Sequence, residues 1–324
     1  MPELPEVETV RAGLESLVSG TVVESVEIRR DSCVRLLAGG VPEFCALVTG
    51  ERIRAVARRG KFMWFELVAP DATGAEPPRE ALLAHLGMSG QFRVHDTRWD
   101  QAPDPHPHCR ARIFLSAANA PSGSGHLVLD FIDQRTFGYL HAEGLVSTAD
   151  GAPAGAGTHH SLLPASVAHI GRDALDPNLD VEQSLARWRR GSRGMKQVIL
   201  DQSIVSGIGN IYADEALWTA RIHPERPAHA MSKRQASTLL VAAQSVMASA
   251  LSQGGTSFDS LYVNVNGESG YFSRSLEAYG RGGEACSRCG SAIRLATVGG
   301  RSTHWCARCQ RRWAPRSGPL DSGA

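Results

Sequence analysis

A chain of 324 residues with 42% hydrophobic and 21% charged residues is globular and long enough for two domains. Its formal net charge of +1 excludes a uniformly basic nucleic-acid-binding domain. No apolar run approaches the roughly 20 residues that span a bilayer, and the acidic opening lacks the basic segment and apolar core of a secretory signal, so the reading is a cytoplasmic protein with no membrane partner.

In chain order, the first element predicted is a helix over 5–19. Pro5 suits its first position, Val7, Val10, Leu14 and Leu17 recur at helical spacing, and Gly20 is a stop. From there to about 147 the texture turns to short β-like runs such as TVVESVEI, FMWFELV, ALLAHL, RARIFL and HLVLDFI, separated by polar or Pro/Gly-rich stretches. Many short strands at this spacing predict a sandwich or barrel. Residues 148–160, small, polar and unpatterned, read as a linker. Helical patterns follow at 182–202, in NIYADEALWTARI and in the run over 232–253. The last forty residues are rich in Gly and Arg and hold four of the seven cysteines.

Those four form two CxxC pairs, Cys286 with Cys289 and Cys306 with Cys309, with sixteen residues between them. Each pair can give two thiolates to one tetrahedral ion, and the intervening segment suits a β-hairpin. One structural zinc is the reading. A redox dithiol needs only one pair, and disulfides do not suit the cytosol. Cys33, Cys45 and Cys109 have no partner spacing and read as core or incidental. From 270 onward nine Arg face three acids, an excess suited to phosphate contacts. Arg301 follows Gly299-Gly300, where a hairpin tip can push one guanidinium outward; a merely solvated Arg is the alternative. A second basic run, Arg187 to Lys196, precedes SGIGNIYADE. That turn either offers backbone N–H groups to a phosphate or is an ordinary helix–helix turn.

The opening, MPELPEVET, sets acids against the amino terminus. Removal of Met1 would leave Pro2 with a secondary amine. An α-amino group titrates near roughly 7.7–8.0, against about 10.4 for a lysine side chain, so a useful fraction is nucleophilic at neutral pH. Attack on a sugar aldehyde carbon gives an iminium that acidifies the neighbouring C–H. Glu3 can shuttle protons as general acid/base, and Glu6 lies where a helix dipole favours its ionised form. Helix-capping charge is the other reading of these acids, and the preferred one for Glu8; a buried or disordered terminus is the other reading of Pro2.

MPELPEVET, the RRGK around Lys61, HLGMSG at 85–90, SGIGNIYADEAL at 206–217, GESGYF at 267–272 and the terminal cysteine hairpin occur in an order that resembles the bacterial formamidopyrimidine-DNA glycosylase family, which are also DNA-(apurinic or apyrimidinic site) lyases. The resemblance covers nearly the whole chain. It implies an α+β protein of two domains: an N-terminal catalytic β-sandwich with flanking helices at 2–147, then, past the linker, a helix–two-turns–helix DNA-binding domain at 161–280 with a zinc-finger β-hairpin at 281–315. It implies a monomer acting on duplex DNA, excising 8-oxoguanine and formamidopyrimidines and cutting the abasic strand by β,δ-elimination. Carried over by position, Pro2 is the Schiff-base nucleophile, Glu3 the proton donor and Glu6 a supporting acid. Lys61 serves β-elimination at the lesion-flanking phosphate, and Arg301 serves δ-elimination. Asn210 binds phosphate, and Lys196 resembles a lysine near the lesion pocket. Met88, Arg135 and Phe137 fill the hole left by an extruded base, and Tyr271 belongs to a glycine-bearing loop that closes over it. Insertions around 69–80, 96–107 and 149–160 depart from shorter members and leave the motifs intact.

Two rivals stand beside this reading. The related endonuclease VIII type prefers oxidised pyrimidines, but ELPEVET and GESGYF look more like the purine enzyme. A non-catalytic zinc-finger protein would keep Arg301, Asn210 and the cysteines but has no use for Pro2, Glu3 and Lys61 together.

Overall fold

The computed structural model describes residues 2–74, 76–117, 123–255 and 275–315. They form two compact units. The first takes in the described parts of Met1–Leu179, Val205–Gly207 and Met247–Ser275; the second takes in Asp180–Ile204, Ile208–Val246 and the chain from Leu276.

The first unit begins with α1 (Leu4–Val18), which buries Leu4, Val7, Val10, Leu14 and Val18 along one stripe. The helix starts one residue before the expected 5, so Pro5 stands second and Glu3 is the N-cap. Strands β1 (Val22–Ile28), β2 (Arg52–Arg59), β3 (Phe62–Val68), β4 (Glu80–His85), β5 (Gly90–His95), β6 (Cys109–Ser116), β7 (His126–Asp133), β8 (Tyr139–Ser147) and β9 (Leu162–Pro164) run in the order β5-β7-β6-β1-β2-β3-β4-β8-β9. β1 and β2 share only the pair Val22↔Arg52. The order therefore bends there into two layers, with one core between them. Phe65, Leu82 and Leu140 of one layer cluster with Phe92, Ile113 and Leu129 of the other, and Phe65 meets Phe92 edge-on at 5.9 Å. Helix α1 and α2 (Gly40–Val48) close this core with Val10, Leu14, Phe44 and Val48.

Strand β3 explains its unbroken apolar run. Met63, Phe65 and Leu67 enter the central core, while Trp64 on the opposite face packs with Ala154, Leu163, Val167 and Ile170. The stretch 148–160 is therefore not a linker. Ala156 pairs with Arg58 through both backbone hydrogen bonds. A Cβ at Gly155 would lie 2.1 Å from the Arg58 carbonyl, and one at Gly157 would lie 2.2 Å from the Val56 carbonyl. Its small residues allow close approach to β2, and the first unit continues to Leu179 rather than ending near 147.

The second unit contains α3 (Val181–Trp188), α4 (Met195–Ile199), α5 (Asn210–Thr219) and most of α6 (Lys233–Ser252). The pattern expected as helix over 182–202 breaks at Arg189 to Gly194, where Gly191 has φ 78° and Gly194 caps α4. Strands β10 (Ile293–Val298) and β11 (Arg301–Cys306) form the hairpin, in register from Ile293↔Cys306 to Val298↔Arg301. Gly299 and Gly300 supply its two-residue turn at φ 57° and 76°, conformations that favour glycine.

Candidate functional site

The amino terminus is fixed by its own acids. Glu3 and Glu6 form a capping box, in which Glu6 Oε2 accepts the Glu3 backbone N–H at 2.8 Å. Both side chains are 2% exposed, and Pro2 is buried. The capping reading of these two acids holds: the box fixes the peptide that follows Pro2 and keeps two carboxylates out of bulk water.

Glu8 does not cap. It accepts from Arg11 and from Arg58 Nε at 2.7 Å. Burial pushes its carboxyl up, but the two guanidinium groups outweigh that and hold it below the usual range. Arg58, 3% exposed, also meets Asp173 at 2.8 Å and donates to the Gly60 carbonyl at 3.0 Å, while Asp173 accepts the Gly60 N–H at 3.2 Å. Arg58 and Asp173 therefore grip both ends of residue 60, whose φ is 59°, and set the turn that presents the half-buried Lys61.

That turn and the amino terminus converge on one glycine. A Cβ at Gly60 would lie 2.6 Å from Ser206 Oγ and 3.1 Å from the Gly207 nitrogen. A Cβ at Gly207, φ 88°, would lie 2.5 Å from Leu4, whose N–H donates to the Gly207 carbonyl at 3.2 Å. The SGIGN turn thus splits in role: Gly207 seats the start of α1, and Gly209 caps α5. The sequence suggests only capping charge for Glu8 and names no partner for Arg58 or Asp173. Paired charges so far apart in sequence leave no local pattern.

Met88, Arg135 and Phe137 lie on two neighbouring turns. Met88 sits between β4 and β5, and Arg135 and Phe137 between β7 and β8. The strands pair Gly90↔Asp133 and His85↔Tyr139, so both turns cross between the layers side by side. Met88 is 40% and Phe137 57% exposed, and Arg135 is exposed. These apolar side chains are therefore not core. His85 stacks on Tyr139, and its imidazole is held down at about 4 by burial first, then by the Lys61 and Arg35 charges.

In the second unit, Arg301 is exposed at the hairpin tip, as expected. Asn210 opens α5, and its Nδ2 donates to the Ser302 carbonyl at 3.0 Å. Lys196 differs from expectation: it is fully buried, with Nζ donating to Asp214 and to the Asn210 carbonyl, so it has no surface to offer DNA. The other Asp214 oxygen accepts from the His304 backbone N–H at 2.9 Å, tying α4, α5 and β11 together. Arg187 and Arg189 of the basic run donate to the Ser203 and Met231 carbonyls, and Arg189 is exposed. Tyr271 and the GESGYF stretch lie outside the described residues.

The Sγ atoms of Cys286, Cys289, Cys306 and Cys309 lie within 4.8 Å of one another. Four thiolates at this spacing fit one tetrahedral zinc and leave no position for water or substrate, which makes the ion structural. Cys33 and Cys109 are buried, their thiols pushed up to about 12 by burial foremost, and do not belong to a metal group.

Three family models match in succession: the formamidopyrimidine-DNA glycosylase N-terminal domain at 1–140, its H2TH domain at 170–261, and a zinc finger found in FPG and IleRS at 283–312. The formamidopyrimidine-DNA glycosylase of Leifsonia xyli is 47% identical over 311 residues, covering 96% of this chain and 100% of its own. A mutant Lactococcus lactis FPG in complex with a Fapy-dG containing DNA is similar at a TM-score of 0.75 and 29% identity, over 96% of this chain and 100% of that one. The same organism's Fpg with an abasic site containing DNA is similar at a TM-score of 0.74 and 28% identity, with the same coverage.

Proposed function

This chain belongs to the formamidopyrimidine-DNA glycosylase family, and we propose that it removes oxidised purines, 8-oxoguanine and formamidopyrimidines, from duplex DNA and then cuts the strand, acting as a monomer in the cytoplasm. Among the described residues no helix is long and apolar enough to cross a membrane.

Loss of Met1 frees the Pro2 nitrogen. The amine attacks C1′ of the damaged nucleotide, the C1′–N9 bond breaks, and the base departs with a proton. Glu3 gives a proton to the ring oxygen, which opens the sugar and leaves an iminium joining Pro2 to C1′. Glu6 holds the Glu3 backbone while this happens. The iminium acidifies the C2′–H. Loss of that proton expels the 3′ phosphate, and loss of the C4′ proton then expels the 5′ phosphate. Lys61 assists the first elimination and Arg301 the second, each as a cation that supplies a proton where phosphate charge develops. Water hydrolyses the iminium and restores Pro2. Met88, Arg135 and Phe137 fill the hole in the stack, the apolar pair as wedges and the guanidinium against the orphaned base. Asn210 binds a backbone phosphate; Lys196 sets the start of its helix rather than touching DNA.

The observation that supports this reading is that the start of α1, with its two buried acids, and the Gly60 turn that precedes Lys61 both pack on Gly207. Single-turnover excision from 8-oxoguanine duplexes tests the roles. Glu3→Gln keeps the length and one acceptor of the capping side chain but loses the proton, so excision falls by about 10²–10⁴-fold. Pro2→Gly keeps a terminal amine and retains part of the excision. Undiminished activity in both variants contradicts the assignment. Faster release of thymine glycol than of 8-oxoguanine would move the substrate to oxidised pyrimidines.

A further inference from the structure

We infer that Asp133 is a positioning residue for base extrusion: with Ser89 it locks the Met88 turn to the Arg135–Phe137 turn, so that the wedge stands formed before DNA arrives. This rests on reading Met88, Arg135 and Phe137 as the residues that fill the vacated stack.

Asp133 ends β7 and is fully buried. Its Oδ1 accepts the Ser89 hydroxyl at 2.5 Å and the Arg135 N–H at 3.2 Å; its Oδ2 accepts the Gly138 N–H at 2.7 Å. Ser89 Oγ also accepts the Arg135 N–H, at 3.0 Å. One carboxylate thus holds the first and last N–H groups of the 135–138 turn and, through a hydroxyl that both donates and accepts, the neighbouring turn that carries Met88.

The brace has something to restrain. Thr136, between Arg135 and Phe137, has φ 58°, a conformation that costs a β-branched residue energy and persists only where the surroundings enforce it. From the outer side Arg35 donates to the Phe137 carbonyl at 3.0 Å and to the Gly138 carbonyl at 2.9 Å. The two turns also touch backbone to backbone: a Cβ at Gly87 would lie 2.5 Å from the Gly138 nitrogen. The Asp133 carboxylate at the centre of the brace is fully buried, while Met88 is 40% and Phe137 57% exposed. Fixing exposed wedges in advance removes the ordering cost from the extrusion step.

The test uses the full-length zinc-bound protein with Asp133→Ala, Ser89→Ala, Ser89→Thr and, as controls on the wedge itself, Met88→Ala and Phe137→Ala. Two signals are read: single-turnover excision from an 8-oxoguanine duplex, and the fluorescence of 2-aminopurine placed beside the lesion, which rises when the stack is opened. A third, borohydride trapping on a single-stranded abasic oligonucleotide, needs no wedge. Asp133→Ala should lower duplex excision by about 10²-fold and flatten the fluorescence rise, with trapping within about threefold of wild type, since a small misplacement of a positioning group costs about that much in rate. Ser89→Ala, which deletes one hydroxyl and serves should the first variant not fold, should lose about tenfold, and Ser89→Thr should restore both signals. Wild-type excision and fluorescence in Asp133→Ala or Ser89→Ala, while the Met88 and Phe137 variants fail, overturn the brace alone. Wild-type behaviour in Met88→Ala and Phe137→Ala overturns the wedge reading beneath it.

Discussion

Two exposed tips of this protein are held by opposite means. The turns bearing Met88, Arg135 and Phe137 spring from a nine-stranded sheet and are fastened from within by a buried carboxylate. The tip bearing Arg301 stands on a two-stranded hairpin, of which residues 294–297 on β10 are exposed, over a small cluster of Trp218, Ala278, Cys286, Ile293 and Cys306. Such a hairpin is marginal by itself in water. Where a large core is at hand, a few hydrogen bonds suffice to fix a tip; where it is not, four thiolates on one ion supply the stability.

The sharpest way to break that contrast is to remove the ion. Cys306→Ser, or chelation, should release the zinc and unfold the finger, because structural zinc contributes on the order of 10–16 kcal/mol to such small domains. Zinc content and duplex binding should fall together, while the sheet of the first unit keeps its circular dichroism. Duplex affinity unchanged after zinc loss would remove the finger from DNA contact.

A smaller effect is expected within the second unit from Lys196→Ala. It takes the ammonium from the fully buried Asp214 and leaves that carboxylate its His304 contacts alone, and breaking such a pair costs up to about 3–5 kcal/mol. Chemical denaturation should show that loss. A change near zero would mean that the α4–α5–β11 tie does not depend on the Lys196–Asp214 pair.

In the first unit, His85 sharpens the account by pH. Its folded value of about 4 lies below the ordinary 6.5, so the unfolded chain takes up the proton first. Its contribution to stability is full above pH 6.5, declines as pH falls and is gone below about 4; it is at most about 3 kcal/mol. His85→Phe should flatten the melting temperature between these limits. An unchanged acid slope would place the imidazole in water, away from Lys61.

The contrast between the tips also marks what the sequence discloses. The zinc hairpin is open to reading because a metal site needs its ligands at fixed short spacings, and the turn needs the glycines beside Arg301. The stripe of α1 and the strands of the sandwich are legible for the same local reason. Asp133 is not, since nothing in DQRTFG, residues 133–138, states that its one carboxylate is buried or that it reaches Ser89. The stretch 148–160 misleads because Gly and Ala serve both loose linkers and tight backbone contacts, and only the carbonyls of Val56 and Arg58 opposite decide between them. Lys196 is no more legible: nothing in its neighbours along the chain tells a lysine near a lesion pocket from a buried partner for Asp214.

The most direct measurement of the catalytic proposal is borohydride reduction of the protein mixed with an abasic-site duplex, followed by peptide mapping of the cross-linked product. The account predicts one covalent adduct, on the nitrogen of a Pro2 freed of Met1. An adduct carried by Lys61 or another lysine, or no adduct from protein that still cuts the strand, would contradict it.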